Sequence, residues 1–282
     1  MKKQTLTKLL LGLSLSVVFL NSCQKDKDLT AADQPVITDD IKANFEDLGF
    51  DVSDIEVVTD NNPLTGESET KYLLEQDIMI SEQQMKDMLT SEIFHEGVVG
   101  EQYRTFNLVS SPQTINVIGY TGGSNALTSK MRTALQWAVA NYNRLNIGLN
   151  FTLTFGTNYQ PYDIVVYRTS GGAGGSAGFP SGGAPNKFVQ IFSGTNNYDT
   201  NVVEHVITHE IGHSVGLRHT DFFNRSLSCG SGGNEGSGGV GAVHIPGTPT
   251  GFDPNSIMLS CFSANEDGEF GFYDEVALEY LY

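Results

Sequence analysis

The stretch from Thr208 to Asp221, THEIGHSVGLRHTD, constrains this chain more than any other. It carries three of the six histidines in a sequence of 282 residues. His209 and His213 are four apart, so on a helix they lie one turn apart on one face and can present two imidazoles to one ion. Glu210 is not needed as a ligand and stands where it can take a proton from water beside that ion. Gly216 lets the chain leave the helix through a left-handed turn, which brings His219 back as a third ligand. Three histidine donors leave one tetrahedral position open, the arrangement of a catalytic zinc rather than a closed structural one. Five fixed positions arise by chance in a chain of this length at roughly 10⁻⁴ or less, against about a few per cent for a bare H-E-x-x-H.

The start of the chain reads as an export signal. Lys2 and Lys3 form a positive end, and the apolar run Leu9 to Leu20 is too short to span a bilayer comfortably. The run closes on Leu20-Asn21-Ser22-Cys23, which resembles a bacterial lipobox, with Asn21 an imperfect fit. Residues 1–22 are therefore expected to be a signal peptide, Cys23 the lipidated residue and 23–37 a flexible tether. An exported lipoprotein at the outer membrane or cell surface follows, with the membrane a partner through its lipid anchor. The alternative is an ordinary signal peptide, an incidental cysteine and secretion. In an oxidising compartment the remaining cysteines, Cys229 and Cys261, are expected to pair, the alternative being two free thiols.

The formal charge is −17, and residues 24–104 carry most of it, with 20 acidic against 6 basic side chains. No basic patch points to nucleic acid.

Two regions follow the tether, with a boundary near residues 104–112. Residues 38–104 read as a small αβ unit. TDDIKANFEDLGF suggests a helix ending at Gly49, YLLEQDIMI a strand, and SEQQMKDML a helix opened by a capping box of Ser81 and Gln84. EQYRTFNLVSSPQ reads as a polar connection. From residue 113, strands are expected at TINVIGY, LNFTLTF, YDIVVYR and KFVQIF. Between the first two lies an amphipathic helix whose stripe is Leu127, Met131, Ala134, Leu135, Ala138, Tyr142 and Leu145. NVVEHVITHEIGHSVG is expected as a helix capped by Asn201 with Glu204 three later, and FYDEVALEYL as the last helix. Among the other histidines, His205 reads as a surface or outer-sphere residue and His244 as structural. His95 with Glu96 lacks a second histidine.

H-E-x-x-H-x-x-G-x-x-H resembles the signature of the metzincin clan of zinc metallopeptidases, and the literal HEIGH resembles the bacterial dual-action HEIGH metallopeptidases. The clan also has a methionine turn below the metal, which Ser256-Ile257-Met258 matches, so the resemblance makes Met258 a structural floor. Its implied fold class is α+β. A twisted, mostly parallel sheet, an active-site helix and an irregular C-terminal subdomain ending in a helix would fill residues 105–282, after the small αβ unit of 38–104. The resemblance also makes GGSAGFP (174–180) an edge strand on the cleft rim, with Gly178 and Phe179 as substrate-binding residues; the alternative is a plain flexible loop. Ser260 stands where some members have a tyrosine ligand, so none is expected here. The chain has no calcium-binding nonapeptide repeat, and calcium need is open.

The activity implied is a zinc-dependent endopeptidase acting on polypeptides, with Zn²⁺ on His209, His213 and His219 and Glu210 as the base. The alternatives are a catalytically silent surface binding protein of this fold, which the retained Glu210 argues against, and a cell-wall peptide amidase. In the clan an N-terminal segment often blocks the open metal position with a Cys or Asp. No cysteine lies in 24–112, so an acidic residue of 38–104 would serve if that unit is a pro-segment of a zymogen rather than a lasting accessory domain. Oligomeric state and cleavage preference are open.

Overall fold

The computed structural model describes residues 36–48, 50–90, 102–233, 242–249 and 251–282. The export signal, Cys23, Gly49, and His95 with Glu96 lie outside these. Among the described residues no helix is long and apolar enough to cross a membrane.

Helix α1 (Asp39–Asp47) starts where Thr38 Oγ1 accepts from the Ile41 N–H at 3.2 Å, which satisfies one of the helix's free donors. Strands β1 (Glu56–Asn61), β2 (Ser68–Leu74) and β3 (Ile78–Ser81) then form an antiparallel sheet, followed by helix α2 (Glu82–Thr90). The capping box at its start is present. Ser81 N–H donates to Gln84 Oε1 at 2.9 Å and Gln84 N–H to Ser81 Oγ at 3.2 Å.

The stretch YLLEQDIMI departs from expectation, being a hairpin rather than one strand. The chain reverses at Glu75 and Gln76, and Tyr72 pairs with Ile80 and Leu74 with Ile78. Tyr72, Leu74, Ile78 and Ile80 all enter one small core with Phe45, Leu48, Phe50 and Met85. Nine extended residues would span about 30 Å, too far for both ends to share that core. Folding back buries both.

The connection after residue 101 is also more ordered than its composition suggests. Strand β4 (Tyr103–Arg104) pairs with a later strand at Val243–His244, and Thr105 N–H donates to Gly216 O at 2.8 Å.

The main sheet is built from β5 (Gln113–Tyr120), β6 (Leu149–Gly156), β7 (Ile164–Thr169), β8 (Gly175–Ser176) and β9 (Phe188–Phe192) in the order β6-β5-β7-β9-β8. All are parallel except β8, which pairs antiparallel with β9 at one edge. Alternation sorts the two faces. Ile115, Val117, Ile164, Val166, Val189 and Ile191 face the helices, while Ile118, Val165 and Tyr167 face Tyr159 on the other side. Helices α3 (Ser129–Asn143) and α4 (Thr200–Val215) lie on the first face. The expected α3 stripe is buried from Leu127 to Tyr142, with Leu145 half-buried. Beyond α4 come the short α5 (Ser226–Cys229), β10 (Val243–His244) and a final helix, α6 (Phe272–Leu281). The α+β architecture, with its mostly parallel sheet and irregular C-terminal part, is as the sequence led us to expect.

Candidate metal centre

Every residue of α4 from Val202 to Val215 is buried, so its polar side chains must find partners inside the fold. The expected cap is not used. Asp199 holds the cap position without a side-chain bond, and the Glu204 carboxylate instead accepts from Asn141 Nδ2 of α3 at 3.0 Å. Burial on the α3 face draws Glu204 away from the helix end. At the other end Gly216 is left-handed (φ +110°), and Leu217 N–H donates to Gly212 O at 2.9 Å. That turn carries the chain back over the helix.

The reversal brings the three rings together. Centroids are 4.6 Å apart for His209 and His213, 4.9 Å for His213 and His219, and 5.3 Å for His209 and His219. Two rings are held by backbone carbonyls. His209 Nδ1–H donates to Ile257 O and His213 Nδ1–H to Leu217 O, both at 2.9 Å, which leaves each Nε2 lone pair free for a metal. His213 Nε2 is buried with no hydrogen-bond partner. Burial, with His209 and His219 nearby, depresses this imidazole well below its ordinary pKa. A neutral, buried, unsatisfied nitrogen facing two more imidazoles fits a divalent cation. Met258 is fully buried beside them, against Gly212 of α4.

A fourth donor comes from the N-terminal region. Asp77, the last residue of the β2–β3 turn, has a ligand atom within the 4.8 Å cluster formed with the three histidines. Its Oδ2 lies 3.2 Å from His219 Nε2 and 3.6 Å from His209 Nε2. Burial acts to raise this carboxyl, but the His219 imidazole first, with His209 and His213 nearby, outweighs it and holds Asp77 well below the carboxylate range. The sequence offered no way to choose Asp77. In retrospect EQD is the only polar break between the apolar runs of the hairpin.

The turn that delivers Asp77 is strained. Glu75 and Gln76 both have positive φ, +55° and +74°, in a region uncommon for non-glycine residues. Contacts hold it there. The Glu75 carboxylate is fully buried against the Arg218 guanidinium, whose far face lies over Phe50 at 4.3 Å. Arg225 donates to Glu75 O at 3.1 Å.

Glu210 is buried next to the cluster, and its Oε2 has no hydrogen-bond partner. Burial, then the neighbouring Asp77 charge, raises its carboxyl well above the ordinary value, so the group is poised to hold a proton. Beside it a cavity of about 200 Å³ is lined by Phe192, His205, Val206, Leu259 and Phe262 among others. His205 is buried rather than on the surface, and burial lowers its pKa to about 3. His244 sits in β10 opposite Tyr103 and close to Thr248, a structural place.

The rim strand is β8, at Gly175–Ser176. Gly178 and Phe179 follow it, and Phe179 is buried with the N-terminal core, edge-on to His213 at 5.5 Å. Ser260, in the position of the absent tyrosine, donates to Asp221 Oδ1 at 2.8 Å. Cys229 and Cys261 form a disulfide that ties α5 to the residues just after Met258.

Three buried imidazoles around one point, with a buried carboxyl beside them, define a metal-dependent hydrolase. The profile of the dual-action HEIGH metallopeptidases matches residues 72–282, and this chain belongs to that family. No curated protein matches it. Solved structures that align with it include two of myroilysin. One has 15% identity and a TM-score of 0.41, covering 62% of this chain and 94% of that one. The other has 13% and 0.39, covering 71% and 95%. Metalloproteinase-II from Bacteroides fragilis aligns at 12% identity and a TM-score of 0.34, covering 79% of this chain and 63% of that one.

Proposed function

We propose that this metallopeptidase is a zinc endopeptidase of the metzincin type, exported and anchored through Cys23, and held latent by Asp77. The observation that carries the reading is the convergence of His209, His213 and His219 with Glu210 beside them and Met258 beneath. Three nitrogen donors with one further position suit zinc. When bound, the ion supplies Lewis acidity for the scissile carbonyl and lowers the pKa of water. Glu210 takes the proton of the attacking water and passes it to the leaving amine. The substrate backbone pairs with the rim strand β8.

The N-terminal segment supports both the endopeptidase and the latency readings. Met79 N–H donates to Ala177 O at 3.0 Å and Ala177 N–H to Asp77 O at 3.2 Å. The short strand β3 thus runs along the rim, between the reversal at Glu75 and Gln76 and the start of α2, and main-chain pairing of this kind suits a polypeptide substrate. Asp77 stands where a carboxylate would take the open ligand position. Removal of this segment frees both the rim and the metal.

Three measurements test this. Cleavage of a denatured protein substrate should be abolished by a chelator and restored by zinc. Glu210→Gln should retain one zinc per chain and lose at least about 100-fold in kcat; a variant near the parent rate removes Glu210 as the base. Asp77→Asn in the intact chain should raise peptide cleavage by about tenfold or more over the intact parent. If the intact variant is as silent as its parent while the proteolysed parent cuts, Asp77 is not the block.

A further inference from the structure

We propose that Asp274 is a positioning residue for the metal centre, acting on His209 through the Ser256 hydroxyl and the peptide unit that joins Ile257 to Met258. This inference rests on the metallopeptidase reading of the three histidines. Asp274 lies in the first turn of α6 and is fully buried. It is no part of the motif and touches no metal ligand. All four hydrogen bonds at its carboxylate are accepted ones. Oδ1 accepts from Ser256 Oγ at 2.7 Å and Gln102 Nε2 at 3.0 Å, and Oδ2 from Ile257 N–H at 2.8 Å and Gly271 N–H at 2.9 Å. The other end of Ile257, its carbonyl, accepts from His209 Nδ1–H at 2.9 Å.

The series is carboxylate, Ser256 hydroxyl, Ile257–Met258 peptide, imidazole, because the Met258 N–H that donates to Ser256 Oγ at 3.0 Å shares its peptide with the Ile257 carbonyl. Metal-binding histidines commonly donate their second nitrogen to a carboxylate or carbonyl, which sets ring orientation and raises basicity at the nitrogen that binds. Here the carbonyl is itself backed by a buried negative charge. A carboxylate accepting from the Ser256 hydroxyl makes that oxygen a better acceptor for Met258 N–H, which polarises the Ile257–Met258 peptide and makes the Ile257 oxygen a better acceptor, since hydrogen bonds in series reinforce one another where the dielectric is low.

The same turn holds a second ligand strand. Met258 O accepts from Thr220 N–H, next to His219, at 2.9 Å, and Met258 N–H donates to Ser256 Oγ at 3.0 Å. Asp274 thus clamps Ser256 and Ile257, and consecutive carbonyls of that turn seat one ligand side chain and the backbone beside another. The sulfur of Met258 is one contact of the turn among several.

The test is Asp274→Asn in the full-length chain. Asparagine keeps the shape and its oxygen can still accept from Ile257 and Gly271, while its amide group stands where Ser256 Oγ and Gln102 Nε2 donate, so the substitution removes the charge and the acceptor behind Ser256. Zinc affinity, measured by competition with a chromophoric chelator, should fall about tenfold or more. KM for a peptide should be unchanged once zinc is saturating, because Asp274 does not touch substrate. Gln102→Leu is the structural control; it withdraws the second donor to Oδ1 but leaves the Ser256 hydroxyl on the carboxylate, and should lower Tm without a comparable loss of zinc affinity. Equal affinity in parent and Asp274→Asn overturns the proposal and leaves the metallopeptidase reading intact. A parent that binds no zinc sinks both. Should Asp274→Asn fail to fold, the parent itself decides. Zinc loading should move the Met258 amide proton resonance, and a stationary resonance overturns the relay.

Discussion

Gly212, inside the histidine motif, has no space for a side chain. A Cβ there would sit 2.5 Å from Met258 Sδ, 3.3 Å from its Cε and 3.5 Å from the Tyr142 hydroxyl. The methionine turn and the ligand helix meet at this glycine, which explains a residue of low helix propensity one position before a ligand. Helix propensity alone favours alanine by about 1 kcal/mol, whereas overpacking costs about 1–3 kcal/mol. Gly212→Ala should therefore lower Tm and also weaken zinc binding, since relief of the clash must displace Met258. A thermal melt with a zinc titration checks both, and a variant that melts higher with unchanged affinity would show that Met258 yields freely.

The contact between α3 and α4 carries a titrating group of its own. Glu204 is buried there, and burial followed by the charges of Glu269 and Asp267 pushes its carboxyl from 4.5 up to about 8. Folding thus favours the protonated form. The stabilisation is complete below pH 4.5 and is lost as pH rises through about 8, where the carboxylate must ionise inside the fold. Glu204→Gln keeps an acceptor for Asn141 and cannot ionise. Its Tm should match the parent near pH 4 and exceed it by a margin that grows to pH 8 and then levels off. A margin that is constant from pH 4 to 9 would show that Glu204 does not titrate in this range.

At the scale of the molecule, the irregular C-terminal part depends on its crosslink. The 32-residue separation between Cys229 and Cys261 encloses a stretch, 230–241, that is rich in Gly and Ser and carries Val240 as its one large apolar residue. Closing a loop of that size is worth roughly 3–4 kcal/mol in the chain-entropy model. The double variant Cys229→Ser/Cys261→Ser should unfold at lower temperature by a corresponding amount. Its zinc stoichiometry should persist, since neither cysteine is a ligand. Loss of zinc with the fold intact would place the bridge inside the site rather than beside it.

Much of this protein was legible in its residues because the relevant information is local. The four-residue step of His209 and His213, the glycine that ends α4 and the strand alternation of the sheet are all set by neighbours within a turn or two. The cysteine pair followed from counting. What the tertiary structure decided are the long closures. Asp77 meets His219 across 142 residues, and Glu75 meets Arg218 across 143. Nothing in the spacing of 20 acidic residues in 24–104 singles out either. The rim strand falls at Gly175–Ser176 because only the β9 register selects which residues of a glycine-rich stretch can pair. Asp274 reads from sequence as one more acidic residue in the first turn of a helix, a common stabiliser of the helix dipole. Its link to His209 exists only because the chain folds α6 against the methionine turn. Local chemistry names the groups that can bind a metal, and only packing determines which distant carboxylates reach them.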